Sequence, residues 1–136
     1  MNTLIAYLST AIVFAVLDAI WLTAMIDRLY RPTLGDILLP TYNLPAAAVF
    51  YLIYVLGIVV LAVLPAVPTG KVSVALLNGA LVGFFAYATY DLTNQSTLRN
   101  WTWTLSIADI AWGTFVTAIA ATAGFAAVRA FGHAAG

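Results

Sequence analysis

Residues 4–26 read LIAYLSTAIVFAVLDAIWLTAMI, an apolar run interrupted by a single acidic residue, Asp18. A helix needs about 20 consecutive apolar residues to cross the hydrocarbon core of a bilayer. Three more runs of similar length follow, at residues 44–64, 72–92 and 104–128. Because backbone polar groups in lipid must be satisfied within each segment, and because alternating ten-residue strands are not seen, these runs predict helices and not a barrel.

The composition also predicts a membrane environment. Of the 136 residues, 64% are hydrophobic and 7% are charged, whereas a soluble domain carries roughly 25% charged residues. The formal net charge is zero, so we expect no basic surface for nucleic acid. We predict an all-α integral membrane protein: one transmembrane domain over residues 1–136, a four-helix bundle in a bacterial inner membrane, with the lipid bilayer as its partner.

Several kinds of chemistry are disfavoured by missing residue types. The chain has no cysteine, no glutamate and one histidine, His133, close to its end. Disulfides, thiol catalysis and iron–sulfur ligation need cysteine, and haem or zinc sites usually need histidine. We therefore expect no cofactor and no metal. The first apolar run has no basic segment before it and is too long for a cleaved signal, so it is interpreted as a retained span.

The connections between the runs carry turn-forming residues. The longest is 27–43, whose apolar side chains predict a segment lying along the membrane interface; these are Leu29, Leu34, Ile37, Leu38 and Leu39. Residues 65–70, PAVPTG, predict a tight turn. Residues 94–103 link the third and fourth helices, and Trp101 and Trp103 are typical of an aromatic belt at the membrane surface.

Small residues in the third helix indicate a close helix contact. Gly79 and Gly83 have the G-x-x-x-G spacing that lets two helix backbones approach in lipid. The contact is either packing inside the bundle or a dimerisation surface. An even number of spans places both termini on one side of the membrane. We call the other side, which holds the first and third connections, the loop side.

Three acidic residues fall within the spans, all in the loop-side half. At 1.5 Å per residue, Asp18 lies roughly 12 Å and Asp109 roughly 8–10 Å from the loop-side ends of their helices, and Asp91 lies near the end of its helix. The same half holds Trp21, Tyr51, Tyr54, Tyr87, Tyr90, Thr93, Asn94 and Trp112. Ionisable residues at such depths usually face the bundle interior or a water-filled cavity.

Residue spacing brings these side chains together on helix faces. Asp18 and Trp21 are three residues apart, as are Asp109 and Trp112, and Tyr87 lies four before Asp91. The first two pairs share the form D-x-x-W-x-T on helices that run in opposite directions. This is either chance or the trace of an inverted repeat.

The functional interpretation is one polar pocket that opens toward the loop side and is closed on the other. Its predicted ligand-binding residues are Asp18, Trp21, Tyr51, Tyr87, Asp91, Asn94, Asp109 and Trp112; no catalytic residue can be assigned. The structural alternative is that the acids hydrogen-bond to Tyr and Thr side chains and lock the helices together, while Asp91 simply reaches the lipid headgroups.

The string YATYDLTN at residues 87–94 is distinctive. Together with the other motifs it resembles an uncharacterised bacterial membrane family, the domain of unknown function 2177. The matching motifs are Asp18 with Trp21-Leu22, Tyr30-Arg31, Tyr51, Tyr54 and Gly57, and Asp109 with Trp112-Gly113. Gln95-Ser96 departs from the family pattern of small or apolar residues, in what we expect to be a loop. The resemblance implies a four-helix membrane protein and supplies no activity.

Three functions are compatible with these patterns. The first is binding or transport of a small solute, with or without coupling to protons. It implies a homodimer, because four helices are few for a pathway. The second is an enzyme acting on a lipid or isoprenoid through its paired Asp residues; it is less expected, because no nucleophile–base pair is visible. The third is an accessory subunit of a larger membrane complex, contacting its partner through Ala- and Gly-rich helix faces.

Overall fold

The computed structural model describes residues 1–132, and every regular element within them is helical. The four long helices are α1 (Asn2–Met25), α2 (Leu44–Ile58), α3 (Val72–Thr97) and α4 (Trp103–Phe131). With the shorter helical turns that extend α1 and α2, four segments are long and apolar enough to cross a membrane. The predicted all-α, four-span architecture is thereby confirmed. His133 lies outside the described residues.

The helices extend further than the apolar runs. α3 continues to Thr97, so the predicted link at 94–103 shortens to 98–102, and Gln95-Ser96 are helical and not in a loop. Hydropathy falls after residue 92 but helicity does not, and the hydroxyls of Thr93 and Thr97 are satisfied by carbonyls of the preceding turn. α4 then begins at a true cap, where the Thr102 hydroxyl accepts from the Leu105 N–H at 3.2 Å.

Two π-helical turns, Ile26–Tyr30 and Val59–Val63, extend α1 and α2. Each ends two residues before a proline, Pro32 or Pro65, and each closes with a backbone N–H that reaches the carbonyl five residues earlier. A proline has no N–H, and its ring crowds the carbonyl four residues before it, so a wider turn relieves both problems. The helical path therefore continues through most of the first connection, to Ile37, and on from α2 to Thr69, where Gly70 (φ 66°) reverses the chain.

α4 is the centre of the bundle and packs most extensively against α3, then against α1. The two glycines of the G-x-x-x-G motif face it. A Cβ added at Gly79 would lie 2.7 Å from the Cβ of Ala121, and one added at Gly83 would lie 2.3 Å from the carbonyl oxygen of Gly113. The motif is therefore used for packing inside the chain, and its backbone contact sets the distance between α3 and α4.

α2 approaches its neighbours unevenly along its length. Leu44–Ile58 packs mainly against α1. Close packing against α3 is made by Val59–Val63 and the short turn that follows it, on the side of the termini. The half of the bundle near the termini is consequently solid, with Phe14, Ile58, Val59, Val63 and Val116 fully buried, while α2 and α3 separate toward the loop side.

The extension of α1 folds over the loop-side end of the bundle. Leu29 and Leu34 are buried against Leu105 at the start of α4, with Trp101 packed on the same cluster. This contact places Tyr30, which lies between the two leucines in sequence, above α4.

We expect Gly83→Ala to destabilise the protein by about 1–3 kcal/mol, because the added methyl group must push the α3 and α4 backbones apart. Gly57→Ala is the matched control, since a Cβ at Gly57 meets no atom within 4 Å. Reversible unfolding in mixed detergent micelles measures both variants. Equal stability of the two would contradict the packing role of the motif.

Candidate functional site

A cavity of about 390 Å³ lies among the four helices in the loop-side half. Its walls contain two acids and a majority of aromatic residues, and no basic residue. The lining is Asp18, Leu22, Tyr30, Phe50, Tyr54, Ala86, Tyr87, Tyr90, Asp109 and Trp112. Phe50 of α2 and Tyr90 of α3 are 46% and 56% exposed, so the cavity is open on the side where these two helices separate. The predicted opening toward the loop side is wrong, because the cluster of Leu29, Leu34 and Leu105 covers that end.

Asp18, on α1, is held by side chains from two other helices. It is 8% exposed. The Tyr51 hydroxyl, from α2, donates to Oδ2, and the Trp112 indole Nε1, from α4, donates to Oδ1 at 3.3 Å. A carboxylate in hydrocarbon is tolerated only when such donors replace water. Asp18 is therefore a point where α1, α2 and α4 are joined.

Asp109, on α4, is held from the opposite direction. It is 6% exposed, and its Oδ1 accepts from the Tyr30 hydroxyl at 2.5 Å. The same hydroxyl accepts from Trp21 Nε1 at 2.8 Å. The π turn that ends at Tyr30 thus brings a donor from the first connection onto the acid of the last helix, and links that acid to the tryptophan of the first helix.

The two D-x-x-W pairs cross each other. Trp112 donates to the acid of α1, and Trp21 reaches the acid of α4 through Tyr30. Between the acids the two indole rings stack, with centroids 4.6 Å apart and planes 6° from parallel. The two contacts are not equivalent, because Trp112 donates directly to Asp18 whereas Trp21 is joined to Asp109 only through the Tyr30 hydroxyl.

Gly113 makes room for Tyr87. A Cβ at Gly113 would lie 2.0 Å from the Cγ of the Tyr87 ring, so the ring rests directly on the α4 backbone. Tyr87 in turn meets Tyr54 edge to face, with centroids 6.2 Å apart. The glycine that follows Trp112 is thereby explained: any side chain there would push Tyr87 out of the cavity wall.

The predicted site residues occupy different places. Four of them line the cavity: Asp18, Tyr87, Asp109 and Trp112. Trp21 and Tyr51 are outside the lining. Tyr51 donates a hydrogen bond to Asp18, and Trp21 donates one to the Tyr30 hydroxyl. Asn94 is half-buried further along α3, also outside the lining.

Asp91 is fully buried within the protein, at 0% exposure. Its carboxyl lies beside that of Asp109, and apart from that contact it has no hydrogen-bond partner within residues 1–132. Within the same residues no group of three or more His, Cys or acidic side chains is arranged to hold a metal ion.

The sequence interpretation missed several lining residues: Leu22, Tyr30, Phe50, Tyr54, Ala86 and Tyr90. Tyr54 and Tyr90 lie in the loop-side half, so their depth in the membrane could have placed them in the cavity lining. Tyr30 carried a different signal, because Tyr30-Arg31 belongs to the motifs of the family resemblance although it lies in a connection. Phe50 and Ala86 carried none, since an apolar residue on a span looks like any lipid-facing one.

We expect Tyr51→Phe and Tyr30→Phe each to destabilise the fold by about 1–2 kcal/mol, because each leaves a buried carboxyl oxygen without its donor. Tyr42→Phe is the matched control, as Tyr42 is 64% exposed. Thermal unfolding in one detergent compares the three. Loss of stability in the control equal to that in the other two would show that the hydroxyls do not support the acids.

Comparison with known proteins gives a family and no characterised relative. No curated protein and no solved structure matches the chain. A family model described as "Predicted membrane protein (DUF2177)" matches residues 3–126, which confirms the resemblance drawn from the motifs. The chain belongs to this family of predicted multi-pass membrane proteins.

Proposed function

We propose that the protein binds a small organic cation in the cavity between its four helices. The observation that carries the proposal is the wall itself, in which Asp18 and Asp109 lie among aromatic rings with no basic residue lining the space. Aromatic faces attract quaternary and primary ammonium groups, most strongly where water is excluded. The two carboxyl groups supply the compensating charge.

The hydrogen bonds around the acids support a preformed site. Asp18 and Asp109 are fixed by Tyr51, Trp112 and Tyr30, so no side chain has to be ordered when the ligand arrives. Preorganisation of this kind lowers the entropic cost of binding. The volume of about 390 Å³ is in the usual range of small-molecule sites, about 300–1,000 Å³.

We extend the proposal to transport in a bacterial inner membrane. A solid half near the termini, centred on Phe14, Val63 and Val116, leaves the cavity accessible from one half of the bilayer. Alternating access would need a second arrangement of α2 or α3 against the pair α1–α4. Because four helices are few for a pathway, we propose that a homodimer performs this step, with Asp91 beside Asp109 as the group that could couple it to protons.

We expect tetramethylammonium to bind the protein in lipid nanodiscs and to change the fluorescence of Trp112, which lines the cavity. Asp18→Asn and Asp109→Asn should each weaken binding by about tenfold or more, because each removes about 1–2 kcal/mol of attraction from the water-poor site. Asp36→Asn, in the exposed first connection, is the matched control and should bind like wild type.

Equal weakening in the control, or no binding of the cation at all, would contradict the proposal. Sealed proteoliposomes separate the alternatives. A transporter moves labelled tetramethylammonium in a manner that Asp18→Asn abolishes. Turnover of added lipid without flux would favour an enzyme. A stable partner retained through mild detergent extraction, without flux or turnover, would favour an accessory subunit.

A further inference from the structure

A groove lies beside the cavity on the outside of the bundle and extends toward the side of the termini. It has a volume of about 600 Å³ and is lined by Ile53, Tyr54, Gly57, Leu61, Asn78, Leu81, Val82, Phe85 and Ala86. Tyr54 and Ala86 line both spaces, so the groove adjoins the cavity along these two residues. We call the second space the α2–α3 groove.

The α2–α3 groove is an apolar channel open to lipid. Ile53, Leu61 and Phe85 in its walls are 66%, 59% and 63% exposed. The groove extends roughly 12 Å along the bundle, from residue 53 of α2 to residue 61 of the π turn that follows it, at 1.5 Å per residue. Asn78 is the one polar side chain in its lining that is not shared with the cavity.

The loop-side end of the cavity is covered, in contrast to its α2–α3 side. Leu29, Leu34 and Leu105 form a buried cluster there, and the Tyr30 hydroxyl donates a hydrogen bond to Asp109. The exposed wall residues are Phe50 and Tyr90, one on each helix that borders the gap. The open way into the cavity therefore runs through lipid between α2 and α3.

From this geometry we infer that the ligand is a cationic amphiphile, with its ammonium head in the cavity and its hydrocarbon chain in the α2–α3 groove. The inference rests on the proposed function and specifies the class of ligand. The charge complementarity of Asp18 and Asp109 selects the head. The groove adjoins the cavity at Tyr54 and Ala86, so a hydrocarbon chain attached to that head would lie in the groove and reach the bilayer.

Gly57 offers a way to fill the groove without touching the acids. It lies in the groove lining, and a Cβ there meets no atom within 4 Å, so Gly57→Phe places a ring in open space. A matched control exists on the other side of the bundle, where a groove between α3 and α4 that shares no lining residue with the cavity contains Ala111. Ala111→Phe adds the same ring there.

The test compares tetramethylammonium with decyltrimethylammonium, which carries the same head on a ten-carbon chain. Binding to protein in phosphatidylcholine nanodiscs is followed by tryptophan fluorescence, with the decyl compound's affinity expressed per mole fraction in the bilayer so that partitioning cancels. We expect Gly57→Phe to weaken decyltrimethylammonium by about tenfold, through overlap with the chain, and to leave tetramethylammonium unchanged. Ala111→Phe should leave both unchanged. Asp18→Asn should weaken both.

Each other outcome has one meaning. If both cations bind through Asp18 but Gly57→Phe affects neither, or if the decyl compound fails to bind where tetramethylammonium does, the amphiphile inference is overturned and the proposed function stands. If neither cation binds, both fail. If decanol, which has the chain without the charge, competes as well as the decyl cation, the groove binds chains nonspecifically and the inference is overturned. Gel filtration and unfolding of both Phe variants verify that each is folded.

Discussion

Three acidic side chains are buried within the spans, and much of the loop-side half of this protein is arranged around two of them, Asp18 and Asp109. A charged group at the centre of a span costs a few kcal/mol on insertion scales, and the cost is reduced only by donors supplied from the protein. Asp18 on α1 and Asp109 on α4 each obtain theirs from other segments. Each acid therefore joins elements that are distant in sequence, and the stacked pair Trp21–Trp112 lies between them.

Glycines set how closely α3 and α4 approach, and thereby the position of one wall of the cavity. Gly83 allows α3 to rest on the backbone of α4, and Gly113 accepts the ring of Tyr87 on that same backbone. α2 differs, since close packing against α3 is made only by the turn that follows Ile58. The separation of α2 from α3 near the loop side gives the cavity its opening.

The spans and the acids could be predicted from the sequence, and the donors could be predicted only in part. Hydropathy locates a span because a helix needs about 20 apolar residues to cross the bilayer and must satisfy its backbone hydrogen bonds internally. Depth and helical spacing then place Asp18, Asp109, Trp112 and Tyr87 near one another. Tyr30 could not be placed this way, because its position depends on a π turn before Pro32 that carries the helix into the predicted connection. Nor could hydropathy show that α3 continues past residue 92, because polar residues end an apolar run without ending a helix.

Direct contact between a bound cation and the carboxyl groups of Asp18 and Asp109 can be detected by infrared difference spectroscopy. Spectra of the protein in lipid, with tetramethylammonium minus without, report the carboxyl stretching bands that binding perturbs. Asp18→Asn and Asp109→Asn variants assign those bands to the two side chains. Bands from both Asp18 and Asp109 should change when the cation binds. Binding that leaves both carboxyl signals unchanged would contradict it.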